Sequence, residues 1–207
     1  MSKYPTELYP TLLDIPVATL SNDANQSFST LAEKGYIIKE GLTKEIIEQL
    51  QNIITEDSIR EYCPKDQSER FTNVQIAENW MQKGRAFYVL LHAENNSSII
   101  TIAGYGWIGE KQTSLVPGGE TTFSLRISEQ HQGNGLAGPF SACMLSAAQE
   151  KYGAKKLWLE TWASNRGAVH IYHKLGFHNV AEKEDQRPSL VAPQINDTRI
   201  YMDIEDV

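Results

Sequence analysis

The sequence predicts a single α/β domain, built from a mixed sheet with flanking helices. Segments that alternate in polarity, as strands do, are interleaved with segments that repeat apolar residues at helical spacing. Two of the strand-like segments, 85–93 and 99–108, are near enough in the chain to form a hairpin. The 207 residues, of which 41% are hydrophobic and 22% charged, suit one globular domain. Together these observations favour the layered α/β or α+β class.

Composition restricts the partners of the protein. The formal net charge of −7 argues against nucleic acid as a general partner and is compatible with a cationic substrate. Cys63 and Cys143 are far apart and outside any metal-ligand pattern, which predicts a reduced, cytoplasmic protein. We expect no secretory signal and no membrane partner, because no basic segment precedes an apolar run and no stretch reaches the roughly 20 apolar residues of a membrane helix.

The first 33 residues are predicted to be an irregular extension, with the folded domain at 34–207. Three prolines and a polar run of serine, asparagine, aspartate and glutamine interrupt any regular pattern there. Within the extension, residues 12–17 are rich in apolar side chains. They would form either a short strand or a patch packed on the core.

The first regular elements follow this extension. Residues 35–42 have the content of a strand, and Thr43 is placed to cap the helix that follows. The apolar stripe of that helix comprises Ile46, Ile47, Leu50, Ile53 and Ile54. We expect a polar loop at 57–67 and then a helix at 68–81.

The predicted hairpin connects to the second half of the chain. Its turn would be at 95–97, and the glycines of its second strand indicate a bulge or a close approach by another backbone. A loop at 110–120 follows. The later predicted segments are a strand at 121–127, a glycine turn at 132–137, an apolar helix, a strand at 156–162, a helix after Asn165, a short strand at 178–181, a polar loop at 182–197 and a final strand at 198–204.

The glycine turn is the first candidate binding site. Gly133 and Gly135 let the backbone approach a ligand with its N–H groups turned inward, and the following helix adds its positive N-terminal end. Pro139 is tolerated in the first helical turn, because the N–H that it lacks would have no partner there. A pyrophosphate is the natural occupant, although a purely structural turn is the alternative. A Rossmann dinucleotide site fits poorly, since the glycine spacing differs and hairpins precede the turn.

Further residues connect this turn to a known family. Gln132, Gly135 and Ala137 match the pattern Gln/Arg-x-x-Gly-x-Gly/Ala. A second group follows later in the chain: Asn165, Ala168, Tyr172 and Leu175-Gly176-Phe177. With both groups, residues 121–178 resemble the GCN5-related N-acetyltransferase (GNAT) family, and the element order extends the resemblance more loosely from about 35 to 204. The run at 157–165 is similar in particular to the ribosomal-protein alanine N-acetyltransferase branch.

The resemblance implies a fold and a ligand. The central sheet would be mostly antiparallel, and its fourth and fifth strands, 121–128 and 156–162, would splay around acetyl-CoA. The fourth strand would pair with the pantetheine arm, the glycine turn would hold the pyrophosphate, and Asn165 would contact the arm. The implied acetyl-CoA contacts are Leu125, Arg126, Ile127, Gln132, Gly133, Asn134, Gly135, Leu136, Ala137, Gly138 and Asn165. Because Gln132 and Asn134 stand where the family more often has basic residues, backbone dipoles would meet most of the phosphate charge.

The resemblance also implies two catalytic side chains. Tyr172 would protonate the departing thiolate, and Glu160 falls where the ribosomal branch has the glutamate that takes the proton of the amine. Acetyl transfer needs such groups, a donor for the oxyanion, and aligned substrates. Strand alternation places Trp158, Glu160 and Trp162 on one face. There the indoles would raise the pKa of the carboxyl by desolvation, wall an amine pocket, or belong to the core.

Each candidate has a structural alternative. Glu160 could be a paired or exposed edge carboxylate, and Tyr172 a core aromatic with its hydroxyl at the edge. His170, His173 and His178 lack the spacing of a ligand set, so we expect no metal. Cys143 lies on the apolar side of its helix and is more typical of the core than of a nucleophile.

The sequence therefore predicts an acetyl-CoA-dependent N-acetyltransferase that uses direct transfer to a primary amine in a ternary complex. The alternatives are a non-catalytic acyl-CoA-binding or regulatory module, and a protein-interaction domain without a cofactor site. The acceptor stays open among a peptide N-terminus, a polyamine, an aminoglycoside and a small metabolite, and the protein would be a monomer or homodimer. We expect the acceptor walls from loops 55–68, 110–120 and 182–197, in which Asp57 and Glu61 could receive a cationic amine.

Overall fold

The computed structural model describes residues 2–93 and 100–205. The helices are α1 (Asn22–Glu33), α2 (Lys44–Ile53), α3 (Asp57–Tyr62), α4 (Val74–Met81), α5 (Ala137–Tyr152) and α6 (Arg166–Lys174). The strands are β1 (Leu13–Asp14), β2 (Tyr36–Glu40), β3 (Arg85–Ala93), β4 (Ile100–Glu110), β5 (Thr121–Ile127), β6 (Lys156–Trp162), β7 (His178–Arg187) and β8 (Ile195–Glu205). Short helical turns lie at Val17–Thr19, Asp66–Arg70 and Glu129–His131. The predicted turn at 95–97 lies outside the described residues.

The eight described strands form one sheet in the order β1-β2-β3-β4-β5-β6-β8-β7. Neighbouring strands run antiparallel except for β5 and β6, which are parallel. The parallel pair arises because α5 crosses over between these two strands. The predicted mixed, mostly antiparallel sheet with flanking helices is thus confirmed.

Strands β5 and β6 separate soon after they begin. They pair only at Thr121 with Leu157 and at Thr122 with Trp158. Beyond these pairs, β5 stays bonded to β4 and β6 stays bonded to β8. The facing edges of 123–127 and 159–162 therefore leave a wedge, which confirms the predicted splay of the fourth and fifth strands.

Helices cover both faces of the sheet. On one face, α1, α5 and α6 pack on a core that includes Phe123, Phe140 and Phe177. On the other face, α2 and α4 pack on an aromatic core around Phe71 and Trp107. The apolar stripe predicted for α2 is buried there, and the Thr43 hydroxyl caps α2 by accepting from the backbone of Ile46 at 3.3 Å. Within the described residues, none of the helices has the length and apolar character needed to cross a membrane.

The prediction of irregular structure before residue 33 was wrong for 22–33, which form α1. The Ser21 hydroxyl caps this helix by accepting from the backbone of Ala24 at 3.3 Å. Helix α1 packs on α5, where the Cys143 thiol donates to the Ala24 carbonyl. The polar run was mistaken for a loop because only Ala24 and Leu31 of this helix are fully buried. Whether residues 1–33 form a separate extension stays a prediction.

Three other boundaries differ from the predictions. Part of the expected loop at 57–67 is helix α3. The helix expected at 68–81 begins only at Val74, because Asn73 caps it and the Asp66–Arg70 turn precedes it. Strand β7 runs to Arg187, not 181, because a long antiparallel pairing with β8 orders residues that are too polar to predict a strand.

The glycines of β4 mark the predicted close backbone approach. A Cβ on Gly104 would lie 2.7 Å from the carbonyl oxygen of Arg126, and one on Gly106 would lie 2.6 Å from that of Ser124. The register between β3 and β4 also shifts at Leu90 and Leu91, as a bulge requires. The two glycines let β5 lie tightly against β4 and so help to fix the near wall of the wedge.

Candidate active site

The wedge opens into a cleft with a volume of about 1990 Å³. Its walls come from β5, β6, the glycine turn, α6 and the segment at 58–70. Pockets for a single small ligand are typically about 300–1,000 Å³. The cleft therefore has room for two substrates side by side.

The glycine turn presents unused backbone donors to this cleft. Gly133 and Gly135 have φ angles of 77° and 70°, a left-handed conformation that glycine adopts without strain. Within the described chain, the backbone N–H groups of 133–138 donate to no protein acceptor. They lie at the N-terminus of α5, where the helix dipole adds positive potential. This arrangement suits a phosphate or pyrophosphate.

The amide side chains in the turn stabilise its shape. Gln132 donates through Nε2 to the carbonyl of Ile127 at 3.0 Å, which ties the turn to the end of β5. Asn134 donates through Nδ2 to the carbonyl of His131 at 3.2 Å. The groups that the turn offers to a ligand are therefore its backbone N–H groups.

Lys34 places a positive charge beside this turn, where Gln132 and Asn134 of the sequence motif carry none. Its ammonium donates to the carbonyl of Asn134 at 3.0 Å and lies 3.9 Å from where a Cβ of Gly135 would be. Lys34 directly follows α1, a hundred positions before the turn in sequence. Local sequence reasoning missed Lys34 because no spacing rule connects it with the turn.

The edge of β5 supplies donors along the wedge. The carbonyl of Arg126 faces β4, so by strand alternation Leu125 and Ile127 direct their N–H and C=O groups into the wedge. The two carbonyls are already occupied, that of Leu125 by the Arg126 guanidinium at 2.7 Å and that of Ile127 by Gln132. The N–H groups of Leu125 and Ile127 are therefore the backbone groups on this edge that stay available to a ligand.

Tyr172 lies on α6 against the same cleft. It is 7% exposed and packs edge-on against Phe123 and Phe177. Burial raises the pKa of its hydroxyl to about 12, so the group is protonated at neutral pH. Tyr172 is among the residues that line the cleft. A protonated hydroxyl at the cleft can give its proton to a bound group.

Asn165 lines the cleft but has a structural role as well. Its Oδ1 accepts from the backbone N–H of Ala168 at 3.2 Å, which caps α6. The cap orients the helix that carries Tyr172. Whether Asn165 also contacts acetyl-CoA stays a prediction.

Glu160 points from β6 into the cleft between two cations. Its carboxylate lies 2.9 Å from the Lys111 ammonium and 3.5 Å from the Arg199 guanidinium. Burial opposes ionisation, but Lys111 and Arg199 outweigh it and lower the pKa of Glu160 below its usual value of 4.5. The suggestion that neighbouring indoles raise this pKa was therefore wrong.

Those two indoles flank Glu160 along β6, and of the two Trp162 lines the cleft. Trp158 is fully buried and donates through Nε1 to the carbonyl of Lys111 at 2.8 Å. The guanidinium of Arg199 stacks 3.9 Å from the ring centre of Trp162. Both indoles thus hold the cations that pair with Glu160.

A buried ionic cluster lies next to the backbone of β5. Asp66, which is completely buried, accepts from the Tyr105 hydroxyl at 2.8 Å, from Arg126 Nε at 2.9 Å and from Arg70. The spacing of four between Asp66 and Arg70 was a usable sequence signal. The contacts with Tyr105 and Arg126 come from distant strands and were missed.

The acidic residues expected to receive a cationic amine are otherwise engaged. Glu61 pairs with Arg187 at 2.9 Å, and Asp57 lies 3.5 Å from Arg60 on the surface. Neither side chain is among the described residues that line the cleft.

Comparison with known proteins agrees with this geometry. The family model described as "Acetyltransferase (GNAT) domain" matches residues 40–178. No curated protein sequence matches the chain at a significant level.

Solved structures share the fold at low sequence identity. A spermidine N-acetyltransferase from Vibrio cholerae, in complex with CoA and spermine, superposes with a TM-score of 0.65, at 18% identity, over 84% of this chain and 96% of that one. A ribosomal-protein-S5-alanine acetyltransferase from Vibrio fischeri superposes with a TM-score of 0.60, at 11% identity, over 83% of this chain and 93% of that one. A putative acetyltransferase from Salmonella typhimurium with acetyl-CoA superposes with a TM-score of 0.52, at 17% identity, over 78% of this chain and 86% of that one.

The family model covers well over half of the chain and includes the glycine turn and α6. The sheet with its splayed strands is the fold that the solved acetyltransferases share with this protein. The chain belongs to the GNAT acetyltransferase family.

Proposed function

We propose that this protein transfers the acetyl group of acetyl-CoA directly to a primary amine in a ternary complex. The observation that carries the proposal is the wedge between β5 and β6, which leads from unused N–H groups at the glycine turn to the buried hydroxyl of Tyr172. The CoA and acetyl-CoA held by the Vibrio cholerae and Salmonella typhimurium proteins support acetyl-CoA as the acyl donor.

The binding roles follow from the groups that the cleft leaves free. The N–H groups of 133–138 would bind the pyrophosphate. The Lys34 ammonium, which donates to the Asn134 carbonyl from outside the cleft lining, would add a positive charge beside it. The N–H groups of Leu125 and Ile127 would pair with the pantetheine arm as an added strand does. One of these strand N–H groups would also stabilise the oxyanion on the acetyl carbon.

The reaction needs one bond formed and one broken. The amine nitrogen attacks the thioester carbonyl carbon, the C–N bond forms, and the C–S bond then breaks. The proton of Tyr172 goes to the departing thiolate, and the proton of the amine goes to the Glu160 carboxylate, directly or through water. Lys111 and Arg199 keep that carboxylate ionised and ready to accept.

Thiol release from acetyl-CoA across a panel of primary amines tests this function. We expect release with at least one class of amine, together with an acetylated product of the matching mass. Calorimetry with acetyl-CoA runs in parallel. Tight binding without turnover on any amine would favour the non-catalytic acyl-CoA-binding module, and failure to bind CoA would favour an interaction domain.

Lys34→Ala is expected to weaken acetyl-CoA binding about tenfold, because a charge-assisted hydrogen bond contributes about 1.5–3 kcal/mol. The effect should shrink as salt screens the phosphate charge. Calorimetric titration of acetyl-CoA at low and high ionic strength measures both. Lys34 is exposed and contacts the glycine turn, and Lys155→Ala removes the same charge at an exposed position just before β6, so it serves as the control. Equal affinities for the two variants would remove Lys34 from the phosphate site.

Glu160→Gln is expected to lower kcat/KM about a hundredfold, as loss of a general base does. Because the pKa of Glu160 is depressed, the carboxylate is ionised above pH 4.5, and its acid limb in the pH–rate profile lies below that pH. The ion pairs of Glu160 likewise stabilise the fold above pH 4.5 and are lost as pH falls through the lowered pKa. The variant should lose the acid limb. A profile and rate equal to those of the unmodified enzyme would rule out this role.

A further inference from the structure

The cleft is positively charged although the whole chain is negative. Among the described residues that line it, nine are lysine or arginine and four are glutamate, against a net charge of −7 for the chain. At the phosphate end, the positive potential comes from the N–H groups of the glycine turn and from Lys34, which contacts the turn from outside the cleft lining. The cations on the far side of β5 and β6 need another explanation.

Four of these cations share one face of the sheet. Strand pairing places Arg126 of β5 on the same face as Trp158, Glu160 and Trp162 of β6, because Thr122 is paired with Trp158. This face is opposite the core side of Phe123, where α5 and α6 pack. The cations on or over it are Arg70, Lys111, Arg126 and Arg199.

Aromatic rings hold each of these cations in place. Arg70 and Arg126 stack on Trp107, with their guanidinium carbons 4.8 and 5.0 Å from the ring centre. Lys111 lies 4.9 Å from the ring centre of Trp158, and Arg199 stacks on Trp162. The charges are thus fixed before any ligand arrives, which lowers the entropic cost of binding an anion.

The carboxylates on this face do not balance the cations. Asp66 serves both Arg70 and Arg126, so this cluster keeps an excess of one positive charge. Glu160 pairs with both Lys111 and Arg199, and that second cluster is balanced only by Asp185, a partly exposed carboxylate 3.6 Å from Arg199. Nearby Glu69 lies 3.9 Å from Lys65, and that pair adds no net charge. The last two cleft glutamates, Glu110 and Glu120, lie at the other end of β5, where Arg85 donates to the backbone carbonyl of Glu110.

We propose that the acceptor is an amine that also carries a carboxylate, as an amino acid does, and that polyamines are not substrates. The inference rests on the proposed acetyl transfer. Guanidinium and ammonium groups recognise a carboxylate by charge-assisted hydrogen bonds, bidentate in the case of arginine. A polyamine would instead meet the excess positive charge of the Asp66 cluster, and the carboxylates Asp66, Glu160 and Asp185 are each already paired with a cation.

Matched acceptors test the proposal. For each L-amino acid that turns over, kcat/KM is compared with that of its C-terminal amide and of its decarboxylated amine, which keep the reacting nitrogen and lose the anion. We expect the acid to be preferred at least about tenfold, the value of one charge-assisted hydrogen bond. Equal use of acid and amide, or a preference for spermidine or for a peptide with N-terminal alanine, would overturn the proposal. Turnover of any of these amines would still support the acetyltransferase.

A variant pair separates recognition from catalysis. Lys111→Met should reduce the preference for acid over amide about tenfold, because the carboxylate loses one partner while Arg199 still pairs with Glu160. A general loss of catalysis lowers both rates and leaves their ratio unchanged. Lys155→Met is the matched control, and its ratio should equal that of the unmodified enzyme. If the ratio of acid to amide for Lys111→Met also equals that of the unmodified enzyme, the Lys111 ammonium does not contact the acceptor and the proposal fails.

Discussion

Tyr172→Phe is expected to lower kcat about 10²–10⁴-fold and to leave acetyl-CoA affinity close to that of the unmodified enzyme. The change removes the hydroxyl proton that we propose Tyr172 gives to the departing thiolate. The ring contacts with Phe123 and Phe177 stay. Single-turnover thiol release measures the chemical step, and calorimetry measures acetyl-CoA binding.

Tyr88→Phe is the matched control for this experiment. Tyr88 is fully buried on β3, its hydroxyl has no partner among the described residues, and it does not line the cleft. The same atom is therefore removed from a buried ring that does not line the cleft. We expect kcat of Tyr88→Phe within about twofold of the unmodified enzyme. Equal rates for the two variants would mean that water or the solvent protonates the thiolate.

Asp66→Ala is expected to lower the free energy of unfolding by about 3–5 kcal/mol. The carboxylate is completely buried, and it neutralises Arg126 and Arg70 while accepting from Tyr105. Without it, two guanidinium groups stay in a poorly solvated site with no anion. Chemical denaturation followed by tryptophan fluorescence measures the loss, and Trp107, on which both guanidinium groups stack, reports on the cluster.

Asp57→Ala controls for the loss of an aspartate. Its carboxylate is 67% exposed and lies 3.5 Å from Arg60 in a surface pair. Such a pair contributes at most about 1 kcal/mol, so we expect a change within about 0.5 kcal/mol. A comparable loss of stability in both variants would show that the buried cluster is no more important than a surface ion pair.

The family and the cofactor half of the site could be predicted from sequence because they depend on short segments. The positive φ angles of Gly133 and Gly135, the helix after them and the alternation of β5 are local properties of neighbouring residues. The N-cap at Thr43 and the helix after Asn165 follow from the same local rules. The boundaries that failed, at α1, α3 and β7, belong to elements whose polar surfaces give little hydrophobic periodicity.

The acceptor half could not be predicted, because it depends on contacts between distant residues. Lys111 meets Glu160 across 49 positions, and Arg126 meets Asp66 across 60. Neither pair follows a helical or strand repeat, so their distances and their effect on charge exist only once the sheet has formed. The sequence determined that the chain has a GNAT sheet, a phosphate turn and a tyrosine beside it. Only the tertiary structure decided that Glu160 is held between two cations and that the cleft of an acidic protein is positive.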